Sequence, residues 1–442
     1  MFKFNNKIDS QKRHLYTFLL IMVSSAFIRI LFIYYTSVYD MQHDAGTPYE
    51  NYGHLGYISY LMNHLHLPDF DVREAFQFWH PPLHHTISAI FLSLIWKLFP
   101  GQVGNYEALQ LLPFLYMTVC IWVIWKTLQL WNIQGKTLCF LTLLIAFHPT
   151  FITLSGSINS DALCTMFTFL AIYFALLWYR TPGYGLMIAS ALSVGLGMSS
   201  KGSAAMAAFP IAFLFLVKLI KEKGKVIPQL LVFAIISLPL GLWWYVRNYI
   251  AFGVPLNYIY YMSTDTVGYL ADIPLWRRIF DFDPRFFSYT NTYLQFEGRF
   301  TDVNPIIGLL KTAVFGQWRF NYSPYIKPFA YILLFVWIAL TMIALLGVPS
   351  FLLKNKEKRI ENISVIILFV VQFASYYSFC LNYPFVWTMD FRYAIPLLLC
   401  QLLLIGEAVK SRTRLAKGTG YLCMAFTGLT VICFLLLGFT SF

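Results

Sequence analysis

Phe78-Trp79-His80-Pro81-Pro82-Leu83-His84-His85, followed by Thr86-Ile87-Ser88-Ala89-Ile90-Phe91-Leu92-Ser93-Leu94-Ile95-Trp96-Lys97-Leu98-Phe99, is the stretch on which the topology turns. Its apolar part begins after a Pro-Pro pair and falls about a turn short of a ~30 Å hydrocarbon core. It also carries His84, His85, Ser88, Ser93 and Lys97. If this run crosses a membrane, three later basic clusters land outside: Lys218/Lys221/Lys223/Lys225, Lys354/Lys356/Lys358/Arg359 and Lys410/Arg412/Arg414/Lys417. If it lies in the interface or re-enters, all three share the cytoplasmic side with Lys3, Lys7, Lys12, Arg13, Lys126, Lys136 and Arg180, as the positive-inside rule requires. The second reading is adopted, and a juxtamembrane helix is expected here.

The rest of the chain agrees that the setting is a membrane. Of 442 residues, 58% are hydrophobic and 12% charged, about half the charged share of a soluble domain. Disorder, collagen, a coiled coil and a disulfide scaffold are excluded by the same figures. The net charge of +12 sits in Lys/Arg clusters beside apolar runs, which orient a membrane protein, so nucleic acid is dropped as a partner. The seven cysteines lie in apolar runs without a C-x-x-C pair and read as packing residues.

Runs of spanning length are expected near 15–39, 105–125, 137–156, 161–179, 184–200, 204–220, 226–246, 327–352, 361–381, 391–409 and 418–441. The first, longer than a signal-peptide core, reads as an uncleaved anchor with a cytoplasmic N-terminus. The fold class is therefore all-α: a polytopic transmembrane helix bundle of about eleven spans plus juxtamembrane helices. Three regions are expected: an N-terminal catalytic module, 1–246, with a first external loop at 40–104; a second external loop, 247–326; and C-terminal helices, 327–442.

Seven of the nine histidines fall between His43 and His85. The plain reading is a polar loop at headgroup level. His43, Asp44 and His80 also suit a divalent ion, although their spacing matches no standard zinc signature. Lys201, Arg247, Arg319 and Arg392 stand apart from the cytoplasmic clusters, at span ends on the external side. Snorkelling to headgroups is one explanation. Cations around one lipid-flanked cavity, with a lone aspartate, suggest a phosphate-bearing lipid held by charge-assisted hydrogen bonds. Because a lipid phosphate leaves without a general acid, one carboxylate base suffices for displacement at a sugar C1.

These landmarks resemble the membrane-embedded GT-C glycosyltransferases, in the bacterial branch related to protein O-mannosyltransferases and aminoarabinose transferases. The resemblance is carried in order by His43-Asp44, His80-Pro81-Pro82-Leu83, Ile158-Asn159-Ser160-Asp161-Ala162-Leu163, Gly195 to Lys201, Trp244-Tyr245-Val246-Arg247-Asn248-Tyr249 with Phe252-Gly253-Val254-Pro255-Leu256, and Phe391-Arg392-Tyr393 with Pro396. It implies a GT-C-like fold, a polyprenyl-phosphate-linked sugar donor, inverting transfer on the external face of the cytoplasmic membrane, and Asp44 as the base. The family often has an Asp-Glu pair where this chain has Asp44-Ala45, so Asp40 and Asp69 stay open as alternative bases.

The expected roles are Asp44, Asp161 and His80 in catalysis, with Asp161 orienting His80 or the acceptor. Lys201, Arg247, Arg392 and Arg319 are expected on the donor phosphate, and His43, Trp79 and His84 on sugar or acceptor; Trp243 and Trp244 could also stack on a sugar. No cofactor is required by this mechanism. The expected partners are the lipid-linked donor, membrane lipids and a cell-envelope glycan, lipid or protein acceptor. The alternative is a transporter or flippase of lipid-linked saccharide, against which stands the lack of two related halves. A scaffold binding a partner through its loops would leave Lys201 and Arg392 without a role.

Overall fold

The computed structural model describes residues 2–266, 268–282, 295–296, 299–300, 302–316, 324–353, 356–410 and 413–440. The helices are α1 (Phe2–Tyr35), α2 (Gly53–His64), α3 (Leu83–Leu98), α4 (Leu111–Leu130), α5 (Gly135–Ala146), α6 (Pro149–Leu154), α7 (Asp161–Arg180) and α8 (Tyr184–Ser200). They continue as α9 (Ala208–Lys221), α10 (Ile227–Phe252), α11 (Leu275–Phe280), α12 (Pro305–Phe315), α13 (Lys327–Leu353), α14 (Arg359–Asn382), α15 (Leu397–Lys410) and α16 (Thr413–Thr440). A small antiparallel hairpin pairs Gln295–Phe296 with Arg299–Phe300. Among the described residues, eight helices are long and apolar enough to cross a membrane.

Two of the expected spans take a shorter form, each for a local reason. The run 137–156 breaks into α5 and α6 because Pro149 has no N–H to give and pushes His148 into an extended conformation (ψ 129°). The His148 ring then accepts the Thr150 N–H at 3.3 Å, capping α6. The run 391–409 does not become helical until Leu397, after Pro396; its first residues form a 3-10 turn, Phe391–Tyr393. The expected run 184–200 forms α8 at those bounds, 17 residues long.

The histidine-rich α3 begins and ends on one face of the bundle. Glu107, which follows it, accepts the backbone N–H of Val38, just beyond α1, at 3.1 Å, so the chain leaves α1 and reaches α4 on the same side. The buried Val38, Leu92, Tyr106, Ile158 and Trp244 form one apolar cluster that binds α3 to this face. On the opposite face Arg180, ending α7, grips Glu361 of α14 at 2.6 and 3.0 Å and donates to Leu130 O at the end of α4. Lys358 donates to the same carbonyl at 2.6 Å.

Between these faces α7 packs against α4, α8 and α9, with Ala171 and Ala175 fully buried. Small residues let helices approach closely where lipid supplies no hydrophobic drive. α12 supports the far end of the chain: Thr312 Oγ1 accepts the Phe391 N–H at 2.9 Å, and Asn304 caps the helix by accepting the Ile306 N–H.

Next to that cap lies an ion pair with no exposed side-chain surface, Lys311 Nζ to Asp302 Oδ2 at 2.6 Å. Lys311→Met strands a buried carboxylate and is expected to cost about 3–5 kcal/mol, whereas the double change Lys311→Met with Asp302→Leu costs much less. Thermal unfolding of the three proteins in one detergent checks this ordering.

Candidate active site

Four segments remote in sequence converge on the face that carries α3. Asp161 occupies the first turn of α7, where the helix dipole favours a carboxylate and Asn159 Oδ1 accepts its backbone N–H at 3.0 Å. Lys201 follows the last turn of α8 in extended conformation and donates from Nζ to Asp161 Oδ1. Arg392 reaches the other oxygen, Nη1 to Asp161 Oδ2, at 3.3 Å. Its second terminal nitrogen, Nη2, lies 3.2 Å from Asp44 Oδ2.

The guanidinium thus bridges two carboxylates that lie far apart in the chain. Asp390 flanks it, with Oδ2 3.9 Å from Arg392 Nε and 3.7 Å from His43 Nε2. Tyr393 closes the site: its hydroxyl accepts from Arg392 Nη2 at 2.6 Å, and its ring faces both Arg392 and Lys201, at 4.6 and 5.1 Å. Three carboxylates here meet two cations, so Arg392 and Lys201 are neutralised as the site stands.

The two principal acids differ sharply. Asp161 has both oxygens engaged and a side chain 4% exposed, while the Asp44 side chain is 32% exposed. Asp44 is also held in a left-handed backbone conformation, φ 57°. Its carbonyl accepts the His54 N–H at 3.0 Å and the Ala45 carbonyl accepts the Leu55 N–H at 2.8 Å, so the first free amides of α2 anchor the loop. Gly46 and Gly53 make this possible. Both have positive φ, and a Cβ on Gly46 would lie 1.9 Å from Tyr52 O.

Arg247 stands apart from this group. Its guanidinium packs over Trp244 and Phe252 and donates to Pro68 O and to Asn248 Oδ1, and among the described residues it makes no ion pair. Its charge is therefore not cancelled. Arg319 lies outside the described residues.

Trp79, expected on the sugar, has one ring face covered by Tyr260, 5.1 Å away and nearly parallel at 9°. Its carbonyl accepts from Trp244 Nε1 at 3.1 Å. His84, expected beside it, is instead buried and donates from Nε2 to Ile158 O at 2.7 Å, a structural bond at the turn before Asp161. His43, Asp44 and His80 do not assemble as a metal site: among the described residues no three His, Cys, Asp or Glu side chains are grouped to hold an ion.

His54, His85 and His80 form a stack in which His54 and His85 are buried and His80 is partly buried. His54 Nδ1 lies 2.9 Å from His85 Nε2, and the His80 ring is parallel to that of His54 at 5.9 Å. Burial, reinforced by the Lys201 charge, pushes the His80 imidazole down to about 3, so His80 is neutral at neutral pH. Burial likewise holds His54 well below the usual histidine range. The unfolded chain takes up protons near pH 6.5 while the folded one does not, so stability is lost as pH falls from about 6.5 toward 3. Melting curves between pH 7 and 4 should show this fall, with a shallower slope for His80→Asn.

The family model for dolichyl-phosphate-mannose-protein mannosyltransferase matches residues 79–244, a stretch that contains His80, Asp161, Lys201 and Trp244. Over that stretch the chain is similar to the mannosyltransferases of this family. No curated protein matches this chain. Among solved structures it is similar to ArnT from Cupriavidus metallidurans in the apo state, at 15% identity over 90% of this chain and 77% of that one, with a TM-score of 0.40.

Two residues that hold this site together carry no obvious signal in sequence. Asp390 reads as one more acid in a short turn, and Gln42 as an ordinary polar residue beside His43. Only the crossing of distant segments gives either a partner.

Proposed function

We propose that this protein is a glycosyltransferase that moves a sugar from a polyprenyl-phosphate-linked donor to an acceptor hydroxyl at the external face of the cytoplasmic membrane, with inversion at the sugar carbon. The observation that carries this reading is the partly exposed Asp44 carboxylate hydrogen-bonded to the buried Arg392 side chain. Asp44 takes the proton of the acceptor hydroxyl as its oxygen attacks C1. The C1–O bond to phosphate breaks, and the polyprenyl phosphate departs with the electron pair.

Asp161, with both oxygens engaged, serves as the fixed counter-ion that orients Lys201 and Arg392. With three carboxylates already facing two cations, a donor phosphate does best by exchanging with Asp44 on Arg392, which frees the base at the moment the donor arrives. Arg247, held only by neutral groups, supplies uncancelled positive charge for the same anion. The external orientation is supported by the segregation of Arg180 and Lys358 to the opposite face. Cell-envelope glycans, lipids and proteins are the acceptor classes this face would meet.

The test uses the full-length protein in vesicles with a radiolabelled polyprenyl-phosphate sugar and a membrane extract as acceptor. Glycosylated product formed in step with released polyprenyl phosphate is expected. Label that crosses the bilayer without product would point to a transporter and overturn the proposal.

A further inference from the structure

We infer that Gln42 is a positioning residue, whose side-chain amide sets the spacing between the loop that carries Asp44 and the turn that carries Asp161. The inference rests on the reading of Asp44 as base. Gln42 is buried, and its amide meets three backbone groups. Oε1 accepts the Ile158 N–H at 3.0 Å, and Nε2 donates to Gly156 O at 2.9 Å and to Ser37 O at 3.1 Å.

The amide therefore pairs with the 156–158 backbone as a neighbouring strand would, at a turn that has no strand beside it. From the other side His84 Nε2–H bonds Ile158 O at 2.7 Å, so residue 158 is pinned through both its N–H and its C=O. The turn has no slack behind it either: a Cβ on Gly156 would lie 2.9 Å from Gln110 Oε1 and 3.1 Å from the Phe32 ring.

The links from this clamp to the reacting groups are short. One residue separates Gln42 from Asp44. On the other side Asn159, next to Ile158, accepts the Asp161 N–H at 3.0 Å. Asp44 and Asp161 then share Arg392, at 3.2 and 3.3 Å, a bridge that tolerates little change in their separation. The α2 amides fix the Asp44 loop on its C-terminal side, and Gln42 fixes it on the N-terminal side. Glutamine suits this role because it offers one acceptor and two donors at the needed reach, whereas glutamate cannot donate to Gly156 O and Ser37 O, and methionine can neither donate nor accept effectively.

The experiment compares Gln42→Met, Gln42→Glu and Asp44→Asn in the full chain in nanodiscs, measuring kcat, the KM for a polyprenyl-phosphate sugar, and melting. Misplacement of a reacting group by about an ångström costs on the order of 100-fold. Both Gln42 variants should lose roughly 10- to 100-fold in kcat, with donor KM changed less than about threefold in the folded fraction. Near-normal kcat in a folded Gln42 variant, a change in KM alone, or a loss that only tracks loss of folded protein would overturn the inference, while an inactive Asp44→Asn leaves the base assignment standing. Retained transfer by Asp44→Asn rejects the base assignment and the inference together.

Discussion

Asp44→Asn should lower the transfer rate by about 10²- to 10⁴-fold with little change in melting temperature. The substitution keeps the size of the side chain and its acceptor oxygen toward Arg392, but an amide cannot take the acceptor proton. Asparagine also tolerates the left-handed backbone at this position, φ 57°, better than other replacements. The expected signature is a fall in kcat with donor binding preserved. Asp161→Asn provides the contrast: it removes the one carboxylate that touches both Lys201 and Arg392 and leaves a buried cation pair undercompensated, so it should lower stability along with activity. If Asp161→Asn were the stable, inactive variant and Asp44→Asn the active one, the two roles would be reversed.

Gly46→Ala is expected to be the most damaging single change outside the charged cluster. The added Cβ would collide with backbone, Tyr52 O at 1.9 Å and Gly53 Cα at 2.6 Å, so no side chain can rotate away to relieve it. The positive φ of 67° adds strain. Relief requires the 44–46 loop to move off α2, which releases the His54 and Leu55 amides and carries Asp44 away from Arg392. Loss of several kcal/mol and of more than 100-fold in activity is expected, on the order of other backbone collisions and misplaced catalytic groups. Expression level, size-exclusion profile and kcat of Gly46→Ala, compared with alanine at the unobstructed Gly101, check the prediction.

Much of this architecture is legible before any coordinates. Apolar length, basic clusters and a short histidine-bearing run are enough to expect a helical bundle whose isolated cations share a face, because hydrophobic thickness and loop charge are local properties of sequence. The early aspartate, Asp161, Lys201 and Arg392 were readable as unusual charges at span ends. Their pairing was not, since a guanidinium joining Asp44 to Asp161 depends on the packing of segments hundreds of residues apart. The neighbours of Trp79 and His84 were hidden for the same reason: Tyr260 and Ile158 O come from other parts of the chain. Span ends shifted at Pro149 and Pro396, where a composition window counts apolar residues and does not register a missing N–H.

The bond from Arg392 to Asp44 joins residues 348 positions apart. A ribosome therefore finishes both carboxylates and the lysine long before it makes the arginine that binds them together. Until Arg392 is inserted, the nascent protein holds its acids without their main counter-ion, and a product that ends before it lacks the bridge. Assembly of this bridge is in this way tied to a late stage of synthesis and to the docking of segments made far apart in time.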